Sequence, residues 1–180
     1  MSKFYTKITS RLQKFIEAQK IFFVATAPKE GRINLSPKGM DSFKVMSDNR
    51  VLWLNVTGSG NETAAHLLEN KRITIMFCSF EKTPNILRLY GKGKEIKPND
   101  KGWNDVISLF PETPGTRQIF DITIESAQTS CGMSIPFYEY KGEREDLNDW
   151  AAEQGKKGIE TYWENRNQTS IDGLPTDILN

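Results

Sequence analysis

Residues 51–66 read Val51-Leu-Trp-Leu-Asn-Val56 and then Thr57-Gly-Ser-Gly-Asn-Glu-Thr-Ala-Ala-His66. The first six are mostly apolar, which is typical of a buried strand, and the small residues that follow lead into a helix. Gly58 and Gly60 let the backbone approach a ligand closely, because they have no Cβ atom. The free N–H groups at a helix start favour an anion such as phosphate. This corner is therefore a predicted phosphate site.

An alternative interpretation of the same corner needs no ligand. Ser59 and Glu62 have the spacing of a capping box, in which two side chains cap the first N–H groups of a helix. The Glu62 carboxylate would also repel a phosphate dianion. Taken alone, the segment therefore indicates a helix start first and a phosphate site second.

The composition is that of an ordinary globular protein. Of 180 residues, 37% are hydrophobic, and 24 basic residues nearly balance 23 acidic ones, for a net charge of +1. The charges are spread along the chain, so nothing indicates a basic stripe for nucleic acid or for an anionic membrane. The longest apolar run, 21–27, is far too short to cross a bilayer. We therefore expect neither nucleic acid nor membrane as a partner.

Cysteine and histidine usage limits the possible chemistry. Residues 1–20 contain no apolar core of a signal peptide, and Cys78 and Cys131 form no disulfide framework, so we expect a cytoplasmic protein. With His66 as the single histidine, no metal site of the usual ligand types is expected. No side chain has a convincing setting as a general base, so the catalytic residues are unknown. Any redox chemistry would then need a cofactor.

Hydrophobic periodicity predicts an alternation of short strands and helices. Helices are predicted over residues 4–18, 60–70, 98–110 and, with a break near Gly155, 143–165. Strands are predicted over residues 21–27, 33–36, 43–46, 51–56, 73–80, 86–96 and 120–130. Because hairpins join most of the strands, we predict an α+β protein with a mainly antiparallel sheet. Its six or so strands would close into a small barrel with flanking helices.

Several short stretches carry a resemblance to a known family. They are Arg32-Ile-Asn-Leu-Ser-Pro-Lys-Gly39, Trp53-Leu-Asn-Val-Thr-Gly-Ser-Gly-Asn-Glu-Thr63, Met76-Phe-Cys-Ser-Phe80 and Ile86-Leu-Arg-Leu-Tyr-Gly91. In order and spacing they resemble the pyridoxamine 5′-phosphate oxidase-like family. Residues 131–136, 138–144 and 170–175 are similar to one poorly characterised branch of it. The resemblance implies an FMN-binding split β-barrel with Greek-key connections. Because the sequence has no internal repeat, low-complexity block or flexible linker, we predict a single domain over residues 1–180, with a helical C-terminal extension over about residues 141–180.

The resemblance also implies where FMN would bind. It would lie along two neighbouring strands and against the glycine turn, held by Asn34, Ser36, Lys38, Asn55, Ser59, Gly60, Asn61, Thr63 and Arg88. The phosphate turn of the family usually reads Ser-Arg-Lys, whereas Ser59, Gly60 and Asn61 stand there in this chain. Hydroxyls, amides and backbone N–H groups would then bind the phosphate, with Lys38 or Arg88 as the remaining cation.

Two of these cations allow another interpretation. Lys38 is either a phosphate partner or a solvated lysine at the end of a strand. Arg88 lies in an apolar strand, where an unpaired charge would be costly, so it should face a ligand, a carboxylate or a subunit interface. For Arg88 we favour a structural ion pair slightly over contact with FMN.

The activity that the resemblance implies is that of a flavin-dependent oxidoreductase acting on an unidentified small molecule. It also implies a homodimer with two equivalent cofactor sites. Oxidation of pyridoxamine phosphate is not expected, because the arginine-rich C-terminal segment of those oxidases has no counterpart after Arg166. The alternatives are a non-catalytic flavin carrier or sensor and a haem- or deazaflavin-binding protein. Haem would need His66 as its axial ligand, and the helical neighbours of His66 argue against that.

Overall fold

The computed structural model describes residues 2–180, and its main feature is one curled antiparallel sheet. The strands are β1 (Lys3–Tyr5), β2 (Phe22–Thr26), β3 (Asn34–Lys38), β4 (Phe43–Val45), β5 (Arg50–Val56), β6 (Arg72–Cys78), β7 (Ile86–Ile96) and β8 (Thr116–Ser130). They pair in the order β3-β2-β6-β7-β8-β5-β4, with β1 added to β8. β3 and β4 end this path, so the sheet curls into a barrel that is split between them. The predicted α+β split barrel is thereby confirmed.

Four helices flank the sheet: α1 (Ser10–Ala18), α2 (Glu62–Asn70), α3 (Trp103–Ile107) and α4 (Asp146–Arg166). The predicted break in the last helix is confirmed, because Gly155 has φ 59° and interrupts α4. Within residues 2–180, none of the helices is both long and apolar enough to cross a membrane.

The sequence prediction was wrong at several element boundaries. Residues 4 and 5, predicted as helix, belong to β1, where Phe4 pairs with Gln128 of β8. The helix begins only at Ser10, after the Thr9 side chain accepts a hydrogen bond from the Leu12 N–H. The pairing with β8 overrides the helical spacing and raises the strand count to eight. Another error is α3, which is shorter than the predicted 98–110.

The core fills the concave side of the sheet. Trp53 of β5 packs on Phe120 of β8 with ring centroids 4.9 Å apart, and Phe22 of β2 stacks on Phe77 of β6 at 5.6 Å. These four side chains are almost completely buried. Helix α2 covers one end of the core through Leu67, and a Cβ on Gly93 would lie 2.8 Å from the Leu67 side chain. This close packing leaves no room for a side chain at position 93 and fixes α2 against β7.

Candidate functional site

A cavity of about 700 Å³ opens between β3 and β5, at the split in the barrel. Its other walls are the turn before α2 and the chain that follows α4. Of the nine predicted cofactor-binding residues, eight line it: Asn34, Ser36, Lys38, Asn55, Ser59, Gly60, Asn61 and Thr63. The structure also places Arg117 and Arg166 in its walls.

The ninth predicted residue, Arg88, is not among the residues that line this cavity. It lies on β7, where its guanidinium donates a hydrogen bond to the Ser130 hydroxyl at 3.2 Å. Within residues 2–180 it makes no salt bridge, so the ion pair that its apolar strand suggested is not formed. Arg88 is half-buried, and the hydroxyl together with solvent can satisfy its charge without a carboxylate.

The polar residues of β3 form one continuous row. Asn34, Ser36 and Lys38 alternate with exposed residues along the strand and point to the same face, as strand geometry requires. The Ser36 hydroxyl donates to Asn34 Oδ1 at 3.0 Å, and Asn34 Nδ2 donates to the Thr63 hydroxyl at 3.4 Å. These bonds connect the edge strand to the first turn of α2.

The start of α2 is free of side-chain caps, which overturns the capping-box interpretation. The N-cap residue is Asn61, and its side chain does not cap the helix because it accepts a hydrogen bond from Gln118 at 2.7 Å. The Glu62 carboxylate instead accepts the Ile171 N–H at 3.0 Å. The first N–H groups of α2 therefore have no side-chain acceptor, which leaves them able to bind an anion.

Arg117 supplies the cation that the turn lacks. The pairing of β5 with β8 shifts register between Asn55 and Val56, so that Arg117 is the extra residue of a β-bulge. A bulge changes the direction in which a side chain points, and Arg117 is 3% exposed and lines the cavity. Its guanidinium donates to Asn55 Oδ1 at 2.7 and 3.2 Å, to the Gly60 carbonyl at 3.1 Å and to Asn167 Oδ1 at 2.7 Å.

All of these partners of Arg117 are neutral oxygens. The four hydrogen bonds account for four of the five N–H donors of a guanidinium. Within residues 2–180 no carboxylate forms a salt bridge with it. The sequence analysis missed Arg117 because it began the last strand at residue 120 rather than at Thr116. If the strand had been predicted to begin at Thr116, Arg117 would have been recognised as a charged residue within a largely apolar strand. The same reasoning had already singled out Arg88.

Two cations in the cavity wall are held at an electrostatic cost. Burial, with the nearby Arg117 charge, lowers the pKa of Lys38 from 10.5 to about 8. Burial also lowers the pKa of Arg117 to about 10, although the carboxylate of Glu95 opposes that effect. Glu95 is itself buried, which raises its pKa to about 7 and limits the negative charge that it offers at neutral pH. The cavity thus carries excess positive charge, which an anionic ligand would neutralise.

We expect Lys38→Met to stabilise the ligand-free protein at neutral pH. The pKa of Lys38 is about 8 in the folded protein and 10.5 in its ordinary setting. Below pH 8 the charged ammonium group therefore lowers the free energy of unfolding. This penalty is released as the pH rises from about 8 to about 10.5. The variant should gain on the order of 2 kcal/mol of unfolding free energy at about pH 7 and little above about pH 10.

Urea denaturation at both pH values measures the change in the free energy of unfolding, with Lys29→Met as the matched control. Lys29 is exposed, so its substitution should change the free energy of unfolding by less than about 0.5 kcal/mol. A Lys38→Met variant that is less stable than the wild type at neutral pH would contradict the electrostatic cost.

The chain after α4 closes one side of the cavity. Asn167 is fully buried, and besides accepting from Arg117 it donates through Nδ2 to the Gly58 carbonyl at 3.1 Å. Asp172 accepts the Arg32 N–H at 2.7 Å and forms an ion pair with the Arg32 side chain. The segment 170–175, which had no assigned role in the sequence, thus holds the C-terminal chain against α2 and the residue Arg32 that precedes β3.

His66 lies away from the cavity. It is completely buried on α2, and its Nδ1 shares a hydrogen bond with the Thr26 hydroxyl at 2.9 Å. Its Nε2 has no hydrogen-bond partner among residues 2–180. It is not among the residues that line the cavity. As the single histidine of the sequence, it gives this site no imidazole.

Comparison with known proteins assigns the family. Residues 8–131 match the family model described as pyridoxamine 5′-phosphate oxidase. The chain is 35% identical, over 97% of its length, to the pyridoxamine 5′-phosphate oxidase family protein ustO of Aspergillus flavus, of which it covers 78%. The chain therefore belongs to the pyridoxamine 5′-phosphate oxidase family, and the resemblance found in the sequence is confirmed.

Solved structures show the same fold at low sequence identity. A candidate pyridoxamine 5′-phosphate oxidase from Lactobacillus delbrueckii superposes with a TM-score of 0.57 at 15% identity, covering 68% of this chain and 94% of that one. HupZ of Group A Streptococcus superposes with a TM-score of 0.55 at 18% identity, covering 68% of this chain and 99% of that one. HutZ of Vibrio cholerae, described as a haem storage protein, superposes with a TM-score of 0.50 at 16% identity, covering 71% of this chain and 98% of that one.

Proposed function

We propose that the cavity binds FMN noncovalently, with the phosphate at the turn before α2. The observation that carries this proposal is the unpaired positive charge of Arg117 and Lys38 next to an uncapped helix start. A phosphate dianion would accept hydrogen bonds from the free N–H groups and neutralise both cations. Ser59, Gly60 and Asn61 would surround it, and Gly60 presents no side chain there.

The remainder of the cavity suits a flavin ring in size and polarity. Its volume of about 700 Å³ lies in the range of cofactor sites. Asn34 and Ser36 of β3 would hydrogen-bond the polar edge of the ring, and Asn55 would do so from β5. Bound FMN would supply hydride transfer, which no side chain of the protein can perform. The protein's own contribution would be to hold and orient the ring.

The direct test is titration of the purified protein with FMN, followed by flavin fluorescence. We expect quenching that saturates at one FMN per chain. A protein that leaves the FMN fluorescence unchanged would refute the proposal. The same titration with a deazaflavin tests the alternative cofactor, which selective binding over FMN would support.

We further propose that the protein is a flavin-dependent oxidoreductase acting on a small molecule. Family membership supports this proposal. Anaerobic addition of NADH, NADPH or candidate amines and alcohols to the FMN-loaded protein should bleach the flavin absorption. If none of these donors does so, a non-catalytic flavin carrier is the better description.

Haem binding is less well supported for this chain than flavin binding. The fold is shared with a haem storage protein, but His66 is buried and bonded to Thr26, so it cannot reach a ligand in the cavity. The cavity is lined by four cations, Arg32, Lys38, Arg117 and Arg166, and one carboxylate, Glu62. This excess of positive charge suits a phosphorylated ligand.

We propose a homodimer that covers the cavity mouth. Ile33, Leu35 and Ile171 line the mouth and are 77%, 63% and 69% exposed, an apolar cluster typical of an interface. We expect Leu35→Glu to give monomers at micromolar concentration in analytical ultracentrifugation, while Leu179→Glu, at another exposed leucine, leaves dimers intact. A wild type that is monomeric with FMN bound would contradict the dimer.

We also propose a single domain and a cytoplasmic location. One sheet extends from β1 to β8, and the C-terminal chain joins it through Asn167, which supports the single domain. Both cysteines are free, with Cys78 buried and Cys131 exposed, and this suits a reducing compartment.

A further inference from the structure

A second cleft lies beside the candidate flavin site and has a different character. It has a volume of about 720 Å³, and most of its surface is apolar. Its walls come from the residues after α1, the turn after β3, Phe80, the irregular segment 138–144 and the start of α4. Their apolar side chains are Ile21, Met40, Phe80, Tyr138, Tyr140 and Leu147. A cleft of this size with aromatic walls is typical of a site for a small organic molecule. Its charged lining residues, four acidic and three basic, nearly balance.

The aromatic wall of this cleft is held in place although its side chains are exposed. The Tyr138 N–H donates to the Phe80 carbonyl at 3.3 Å, and the two rings meet edge to face with centroids 5.4 Å apart. The Tyr140 hydroxyl donates to the Glu143 carboxylate at 2.7 Å, and the same carboxylate accepts the Met40 N–H at 3.4 Å. These contacts fasten the segment to the turn after β3.

Lys38 connects the two sites. It lines the candidate flavin cavity, the apolar cleft and a smaller pocket that lies between them beside Trp53 and Leu147. Its ammonium group lies 5.5 Å from the centre of the Trp53 ring. A molecule in the apolar cleft could therefore present a polar end to Lys38 at the boundary of the flavin cavity. An ammonium group has three N–H donors, so it can serve a cofactor and a second ligand together.

We propose that this cleft is the substrate subsite of the flavin site. It takes a flat, largely apolar aromatic molecule whose acidic or hydrogen-bond-accepting end reaches Lys38. This inference rests on the proposed flavin function and specifies its substrate class. It also assigns a role to the segment 138–144, which the cofactor proposal does not use.

The test uses 2-naphthoate as the probe, titrated calorimetrically into the FMN-loaded protein. We expect one site per chain and a perturbed visible absorption spectrum of the flavin. Tyr138→Asp should weaken naphthoate binding by at least about tenfold, because it removes an apolar wall. Phe137→Asp is the matched control, since Phe137 is the adjacent exposed aromatic and does not line the cleft, and it should change affinity by less than about twofold. Both variants should keep wild-type FMN affinity by fluorescence titration.

The possible failures have different meanings. If naphthoate does not bind the FMN-loaded wild type, or if both substitutions weaken it equally, the cleft is not the subsite. If naphthoate binds with the expected dependence on Tyr138 but leaves the flavin spectrum unchanged, the cleft is a separate site and the proposal is overturned. If FMN itself does not bind, the flavin function fails, and with it the assignment of the cleft as its subsite.

Discussion

Arg117→Met is expected to weaken FMN binding by at least about a hundredfold and to leave riboflavin binding within about threefold of wild type. Arg117 is buried among neutral oxygens next to the turn, so its charge is available to the phosphate of FMN. Riboflavin has the same ring and no phosphate, so the ratio of the two affinities isolates the phosphate contact. Fluorescence quenching titrations of both flavins measure it.

Two further variants separate charge from structure at this position. Arg117→Lys keeps the charge but loses the forked guanidinium that joins Asn55 and Asn167, and we expect an FMN affinity between wild type and Arg117→Met. Arg166→Met removes an exposed cation from the same cavity and should weaken FMN by less than about threefold. Equal losses for FMN and riboflavin in Arg117→Met would show that Arg117 has only a structural role.

Gly60→Val is expected to weaken FMN binding by at least about thirtyfold, more than Lys38→Ala does. A Cβ at position 60 would meet only the flexible Glu62 carboxylate, at 3.3 Å, so the folded protein can accommodate a side chain there. That side chain would occupy the space that the phosphate needs beside the turn.

Gly60→Ala, which adds a single methyl group, should give an intermediate loss of FMN affinity. Urea denaturation should show that both Gly60 variants lie within about 1 kcal/mol of the wild-type stability. An FMN affinity unchanged by valine would mean that the phosphate does not approach this turn.

Most of the fold could be predicted from the sequence because it is encoded locally. Alternating apolar residues define the long strands, and Gly155 interrupts a helical pattern where the structure has its break. The strand β1 could not be predicted from local periodicity. Residues 4 and 5 fit a helical spacing, and they form a strand only through pairing with β8. The shortened α3 reflects the same limit, since no local signal marks where tertiary packing ends a helix.

The site was predicted less completely than the fold, for a physical reason. Polar residues at strand ends and a glycine turn can be recognised in the sequence, and eight of the nine candidates line one cavity. Arg117 enters that cavity through a β-bulge, and a register shift depends on two strands that are far apart in sequence. The missing cap of α2 also depends on residues that are far apart in sequence. The Glu62 carboxylate accepts a hydrogen bond from the Ile171 N–H of the C-terminal chain instead of capping the helix.

The central claim is that this chain holds the FMN phosphate as a dianion among Arg117, Lys38 and the start of α2. Phosphorus NMR of the FMN-loaded protein tests it most directly, because a free phosphate monoester titrates with a second pKa of about 6. We predict a separate bound signal whose chemical shift stays constant between about pH 5.5 and about pH 7.5, since the surrounding positive charge keeps the phosphate ionised. A bound signal that titrates near pH 6 like free FMN, or no bound signal at all, would contradict the account.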